Sequence, residues 1–302
     1  MMSNIYPIYS SDASVQSLRG YLATKYEGKA EEIEIRDADK DGFIQDNEVS
    51  ITGVPAKEIA AELMAYRQKL GLEQETINNI LKKYKGKLTP ELQEVIKNIN
   101  AITEIELGGN EIGDEGAKAI AEALWVNNSI TKIDWELYSI GDEGAKVLAE
   151  ALRPNRTVTE INLKGNKIGD VGAKALAEAL RVNNSITKIN FEFNSIGDEG
   201  IKAIAEALKV NKTLTEINLE WNNFGDEAVK ALAEALKVNK TIAKINLNIN
   251  SIGDEGAKAI VEALKVNKTI TRIYLGWGTY VGDKLLNEIE ALLEENRERA
   301  KK

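Results

Sequence analysis

Histidine and cysteine are both absent from the 302 residues of this chain. Their absence removes Ser-His-Asp and Cys-His nucleophilic machinery, Cys/His zinc sites, iron–sulfur ligation and disulfides together. An enzyme built on this sequence would have to work with carboxylates, lysines and hydroxyls. Long apolar runs are missing too, the longest being a few residues, far short of the ~18 to 20 that a spanning helix needs. The opening stretch, MMSNIYPIYSSD, lacks the basic and then apolar regions of a secretory signal. The expectation is a soluble, cytoplasmic protein with no membrane partner, although a thiol-free chain suits either redox compartment. Positive charge is in deficit, with 39 Lys and Arg against 48 Asp and Glu and a formal net charge of -9. Clustered positive charge is what nucleic acid and anionic membranes require, so neither is expected as a partner.

What the sequence has in abundance is repetition. The segment AITEIELGGNEIGDEGAKAIAEAL recurs through TLTEINLEWNNFGDEAVKALAEAL to TIAKINLNINSIGDEGAKAIVEAL, and its first apolar residue falls at Ile102, Ile130, Val158, Ile186, Leu214, Ile242 and Ile270, each 28 residues apart. A period of this length without insertions means stacked structural units. Each unit opens with apolar residues such as Leu214, Ile217 and Leu219, the last two alternating with polar Asn218 as a short strand requires. Gly-Asp follows, with Asp198 and Asp254 expected as N-caps. Helical spacing comes next, as in Ala257, Ile260, Val261 and Leu264. One strand and one helix cannot bury both apolar faces alone, so neighbouring units must stack, with a parallel sheet inside and helices outside.

The pattern L-x-x-L-x-L-x-x-N-x-I-G-D-x-G followed by A-x-x-L-A-E-A-L resembles the ribonuclease-inhibitor type of leucine-rich repeat, also found in NOD-like receptors. The resemblance covers residues 101 to 297 and implies an α/β horseshoe solenoid whose concave face binds other proteins. The family's Asn, which bonds loop backbone inside the solenoid, falls at Asn110, Asn166, Asn194, Asn222 and Asn250. Tyr138 and Gly278 depart from it, so irregular loops are expected there. The stretch TPELQEVIKN reads as an N-terminal cap helix with Leu92, Val95 and Ile96 in register. At the other end the pattern gains a residue at GTYVGD, and EENRERAKK makes the last helix charged, as a terminal repeat requires.

Side chains between the core positions of each strand point to the concave surface. One column reads Glu104, Lys132, Glu160, Lys188, Glu216, Lys244, Arg272, an alternation suited to a self-neutralising ladder. The next is Glu106, Asp134, Asn162, Asn190, Asn218, Asn246, Tyr274. Just beyond the strand lie Gly109, Leu137, Gly165, Phe193, Trp221, Ile249 and Trp277. Contiguous exposed aromatics mark binding, because Trp and Tyr bury much area at little entropic cost. The expected partner-binding residues are therefore Phe193, Trp221, Ile249, Tyr274 and Trp277.

Residues 37 to 48, DADKDGFIQDNE, match the EF-hand loop D-x-[DN]-x-[DN]-G with Glu at its twelfth position. Asp37, Asp39 and Asp41 would supply carboxylate oxygens, Phe43 its carbonyl, Gln45 a contact through water and Glu48 a bidentate carboxylate. Hard oxygen ligands in this number favour Ca²⁺. No second loop is present to form the usual pair. The incoming EEIEIR alternates like a strand, and Gly53 and Pro55 interrupt the outgoing helix. Such a hand is either a structural staple or, through Ile44, a contact that makes a homodimer. Helical spacing surrounds it, at Val15, Leu18 and Leu22, at Ile59, Leu63, Met64 and Leu70, and in QETINNILKKY. The expected organisation is a helical EF-hand domain over 1–86 and a leucine-rich-repeat solenoid over 87–302.

The functional expectation is a non-enzymatic scaffold that binds a partner protein on the repeats and calcium at the N-terminal loop. The alternative is a calcium-stabilised structural or self-associating repeat protein. A carboxylate-pair enzyme needs two acids flanking one pocket, whereas the carboxylates here recur with the repeat.

Overall fold

A computed structural model describes residues 12–26, 33–35, 49–106, 112–124, 127 and 129–301. The chain divides into two compact units, Met1–Lys82 and Lys83–Lys302.

In the first unit, helix α1 (Asp12–Lys25) precedes strands β1 (Ile33–Ile35) and β2 (Val49–Ile51), and helix α2 begins at Ala56 and runs to Lys83. The two strands pair antiparallel, with Ile33 opposite Ile51 and Ile35 opposite Val49. Leu18, Leu22, Ile33, Val49, Ile51, Ile59, Leu63 and Tyr66 form the core. The reading of EEIEIR as strand-like matches β1. Strands, not the two helices of an EF-hand, therefore flank residues 36–48. The expected calcium ligands Asp37, Asp39, Asp41, Phe43, Gln45 and Glu48 lie outside the described residues. The two helical stretches expected on either side of Gly71 are one continuous helix, since a single interior glycine costs only about 1 kcal/mol.

The second unit is the solenoid. Helix α3 (Pro90–Lys97) is capped by Thr89, whose side chain accepts the Leu92 N–H. Seven strand–helix units follow: β3 (Glu104–Glu106) and α4 (Gly113–Leu124), β4 (Lys132–Asp134) and α5 (Asp142–Leu152), β5 (Glu160–Asn162) and α6 (Asp170–Val182), β6 (Lys188–Asn190) and α7 (Asp198–Val210), β7 (Glu216–Asn218) and α8 (Asp226–Val238), β8 (Lys244–Asn246) and α9 (Asp254–Val266), β9 (Arg272–Tyr274) and α10 (Asp283–Ala300). The strands form one parallel sheet in chain order β3 to β9, and equivalent residues face each other, as Glu160 faces Lys188 and Ile217 faces Ile245. Leu214, Ile217 and Leu219 from the strand side, and Val229, Leu232 and Leu236 from the helix side, are fully buried between the layers. This is the α/β repeat architecture expected from the period.

The helix caps differ from expectation. Gly197 and Gly253 are the N-caps, without a side-chain cap, and Asp198 and Asp254 are the first helical residues. Each aspartate instead serves the next unit. Asp170 Oδ1 accepts the N–H groups of Gly197 and Gly200, both at 2.8 Å, and Asp226 Oδ1 accepts those of Gly253 and Gly256 at 2.7 and 3.0 Å. Asp198 likewise accepts from Gly225 and Asp254 from Gly282. An aspartate at the first helical position has started too late to cap its own helix. It sits beside the following helix, whose orphan N–H groups need an acceptor.

Two buried asparagine columns close the turns. In the expected one, Asn194 Oδ1 accepts the Ile168 N–H at 3.0 Å while its Nδ2 donates to the Leu163 and Phe191 carbonyls. Asn166 and Asn222 do likewise, while Asn250 donates in the same way but accepts the Asn222 N–H. The second column was not anticipated. Asn183, Asn211, Asn239 and Asn267 follow each helix, donate to carbonyls of the preceding unit and accept N–H groups two and three residues on. At Tyr138 the first column is interrupted, and the loop is irregular as expected, with positive φ at both Leu137 and Ser139.

Candidate protein-docking surface

The concave floor is largely self-satisfied. Lys132 pairs with Glu104 at 3.6 Å, Lys188 with Glu160 at 2.7 Å and Lys244 with Glu216 at 2.5 Å. The Glu160 hydrogen bond raises the Lys188 pKa above its ordinary value. These pairs are partly exposed, so each contributes roughly 0 to 1 kcal/mol. In the next column Asn162 Nδ2 donates to Asp134 at 2.9 Å, Asn218 to Glu192 at 3.1 Å and Asn246 to Glu220 at 2.6 Å. Lys164 sits between Glu192 at 3.2 Å and Glu136 at 3.5 Å, and its pKa is raised, first by the Glu192 hydrogen bond. A floor whose charges already neutralise one another exerts little steering on a charged ligand.

The column beyond the strand is different. Leu137, Phe193, Trp221 and Ile249 all adopt left-handed backbone, with φ of 65, 54, 54 and 50 degrees. Gly165 holds the same place in its unit with φ of 68 degrees. In four of the units the next residue is the first-column asparagine: Asn166, Asn194, Asn222 or Asn250. The turn thus demands the left-handed conformation and glycine meets the demand freely. For other L-residues it costs about 1–2 kcal/mol each, and a β-branched residue such as Ile249 is a genuine outlier there.

These costly positions carry large apolar side chains that are not core. Phe193 is 46% exposed and Trp221 51% exposed. Their rings meet edge to face at 4.9 Å between centroids, and Ile249 in the next unit is half-buried. The exposed Leu137, which sequence reasoning placed in the column without assigning it to binding, lies over Gly165, where a Cβ would come within 2.3 Å of its Cδ2.

Trp277 does not continue this ridge as its spacing suggests. Trp221 N–H donates to the Asn248 carbonyl, but Ile249 N–H donates to the Trp277 carbonyl, one residue later than the 28-residue period predicts. Because Leu247 N–H still donates to Tyr274, the extra residue enters between Leu275 and Trp277, ahead of the GTYVGD stretch. Gly278, with φ of 65 degrees, takes the ridge position. Thr279 takes that of the asparagine, donating to the Leu275 carbonyl at 2.9 Å. Trp277 is 70% exposed, and Tyr280, missed in the sequence reading, is 80% exposed. The ridge proper is therefore Phe193, Trp221 and Ile249. Tyr274 and Trp277 form a separate exposed group in the last unit.

Residues 136–225 match the family described as TMOD/LMOD leucine-rich domain, and residues 100–121 and 238–261 match the leucine-rich repeat. None of the curated proteins matches the chain. Similar solved structures include leiomodin-1 actin-binding site 2, at 22% identity and a TM-score of 0.41, covering 62% of this chain and 91% of that one. Another is the tropomodulin C-terminal domain of Caenorhabditis elegans, at 17% identity and a TM-score of 0.45, covering 52% of this chain and 95% of that one. The leucine-rich repeats read from the sequence are thus matched by independent comparison. Among the described residues, no helix is long and apolar enough to cross a membrane.

Proposed function

We propose that this chain is a non-enzymatic leucine-rich-repeat scaffold, of the ribonuclease-inhibitor type, that docks a partner protein on the ridge of Phe193, Trp221 and Ile249. Tyr274 and Trp277 supply further contacts in the last unit. One observation carries the reading: three successive units hold large apolar groups outside the core on left-handed backbone, Phe193 and Trp221 exposed and Ile249 half-buried, where Gly165 and Gly278 show that a smaller residue serves the turn. Keeping them spends stability on exposed surface, which a binding role accounts for and a packing role does not. Phe193 and Trp221 fall inside the stretch that matches the TMOD/LMOD leucine-rich domain. Actin, the partner named for leiomodin-1, is therefore a sensible first probe. Co-sedimentation of the chain with actin filaments is expected to fall about tenfold in affinity for Phe193→Ser with Trp221→Ser, a loss typical of aromatic hot spots. Binding unchanged by that pair would move the docking surface elsewhere, and no binding at all would remove actin as the partner.

The same reading includes Ca²⁺ held by Asp37, Asp39, Asp41, the Phe43 carbonyl, Gln45 and Glu48. Its support is the oxygen-donor spacing, together with the antiparallel pairing of Ile35 with Val49, which draws the two ends of the segment together. Saturating calcium is expected to raise the melting temperature of the wild type and not that of Asp37→Ala with Glu48→Ala. A wild type indifferent to calcium would exclude the site.

A further inference from the structure

We propose that the free edge of β9 is a second docking site, which takes an extended acidic segment of a partner protein as an added strand. The inference does not rest on the ridge. Among the described residues β9 is the last strand of the sheet, with β8 as its neighbour. Inside the solenoid, Leu247 N–H donates to the Tyr274 carbonyl and Ile249 N–H to the Trp277 carbonyl, both at 2.8 Å. The equivalent donors of the last unit, Leu275 and Gly278, have no further strand among the described residues to receive them. The lower end of the same edge is closed differently. The Ala243 carbonyl accepts the N–H groups of Thr271 and Arg272 from the next unit. The Thr271 carbonyl accepts the Arg297 guanidinium instead, at 3.1 Å. The chain thus caps one half of its edge and leaves the other as a template for main-chain pairing.

Charge identifies the occupant. The strand column pairs acid with base three times and then breaks the rule, setting Arg272 directly opposite Lys244. Lys244 is already held by Glu216. Arg272 lies instead over the Tyr274 ring, 6.0 Å from its centroid. Like charges opposite one another are unfavourable, and a carboxylate arriving on an eighth strand would restore the alternation. Tyr274 and Trp277, both exposed, stand ready to flank it. A second copy of this chain fits less well. Its approach would strip water from helix α10, which is longer than the other solenoid helices and carries the exposed Glu290, Glu294 and Arg297 network. A single extended strand avoids that cost.

The test titrates the full chain with a fluorescein-labelled synthetic peptide alternating glutamate with valine, and with its lysine-for-glutamate counterpart. The acidic peptide is expected to bind saturably, at least about tenfold more tightly than the basic one, as for removal of a close interfacial charge pair. Arg272→Glu should reverse that order and Arg272→Gln should bring the two peptides near parity, while Trp221→Gly leaves both affinities unchanged. Amide exchange at Leu275 and Gly278 should slow on binding. Absence of saturable binding, equal affinities, an indifferent Arg272→Glu variant or protection at other amides would each overturn the proposal. So would concentration-dependent oligomers in sedimentation that Glu104→Lys abolishes, since these would assign the edge to a second copy.

Discussion

Asp170 begins its own helix yet accepts the N–H of Gly200, thirty residues later, at 2.8 Å. The same oxygen also takes the Gly197 N–H, so one carboxylate satisfies two orphan donors at the start of the next helix. Asp142 and Asp226 repeat both bonds, and Asp198 and Asp254 repeat the one to the N-cap glycine, so the helices α6 to α10 are each tied at the N-terminus to their predecessor. A negative charge there also complements the helix dipole.

Removing one such tie should be costly but not fatal. Asp170→Ala is expected to destabilise the solenoid by about 0.5–2 kcal/mol, the range for a lost N-cap. Asp170→Asn, which keeps an acceptor oxygen, should recover most of that. Urea unfolding of the two variants checks this, and equal losses for both would mean that charge, not hydrogen bonding, matters.

The buried asparagines should be more sensitive. Asn211 donates to the Leu180 and Asn183 carbonyls and accepts from Thr213 and Leu214. Asn211→Ala strands several of these groups away from water, at roughly 1–3 kcal/mol for each one left unpaired. The loss measured by denaturant unfolding should therefore exceed that of Asp170→Ala.

The repeat length, strand register and layer order were legible in the sequence because the apolar pattern recurs without insertion, and strands such as Glu216–Asn218 pair in the register that period dictates. The role of Asp198 was not, because which helix it caps depends on the neighbour's position and not on local spacing. The column of Asn183, Asn211, Asn239 and Asn267 left a signal, an Asn after each helix at the same period, but loop asparagines are common enough to hide it. Left-handed backbone at Phe193, Trp221 and Ile249 was illegible from residue type, since none of the three favours it. The glycine at the equivalent position 165 was the clue. Trp277 was misplaced because an inserted residue shifts every position after it.

In the first unit, Tyr21 donates to Glu62 Oε2 at 2.9 Å. Burial, then the Glu62 hydrogen bond, pushes its pKa up to about 12. A raised phenol pKa means that the folded state favours the neutral form. Its contribution to stability is therefore complete below the ordinary value of about 10 and is lost as pH climbs through the folded value. Tyr26 and Tyr84 are also raised, so tyrosinate absorbance should show a late component that Tyr21→Phe diminishes by one tyrosine and Glu62→Gln moves partly downward. A late component of unchanged amplitude in Tyr21→Phe would show that Tyr21 does not belong to it.

Ridge side chains kept for contact and not for folding can be removed without loss of stability, and the melting curve of Phe193→Gly, Trp221→Gly and Ile249→Gly combined separates the two roles. Relief of left-handed strain, about 1–2 kcal/mol per site, opposes the glycine entropy cost of about 0.5–1 kcal/mol. The triple variant is expected to melt at or above the wild-type temperature. Core aromatics lose about 3–5 kcal/mol each on truncation, so a fall of many degrees would show that the ridge is structural and that its side chains are kept for packing.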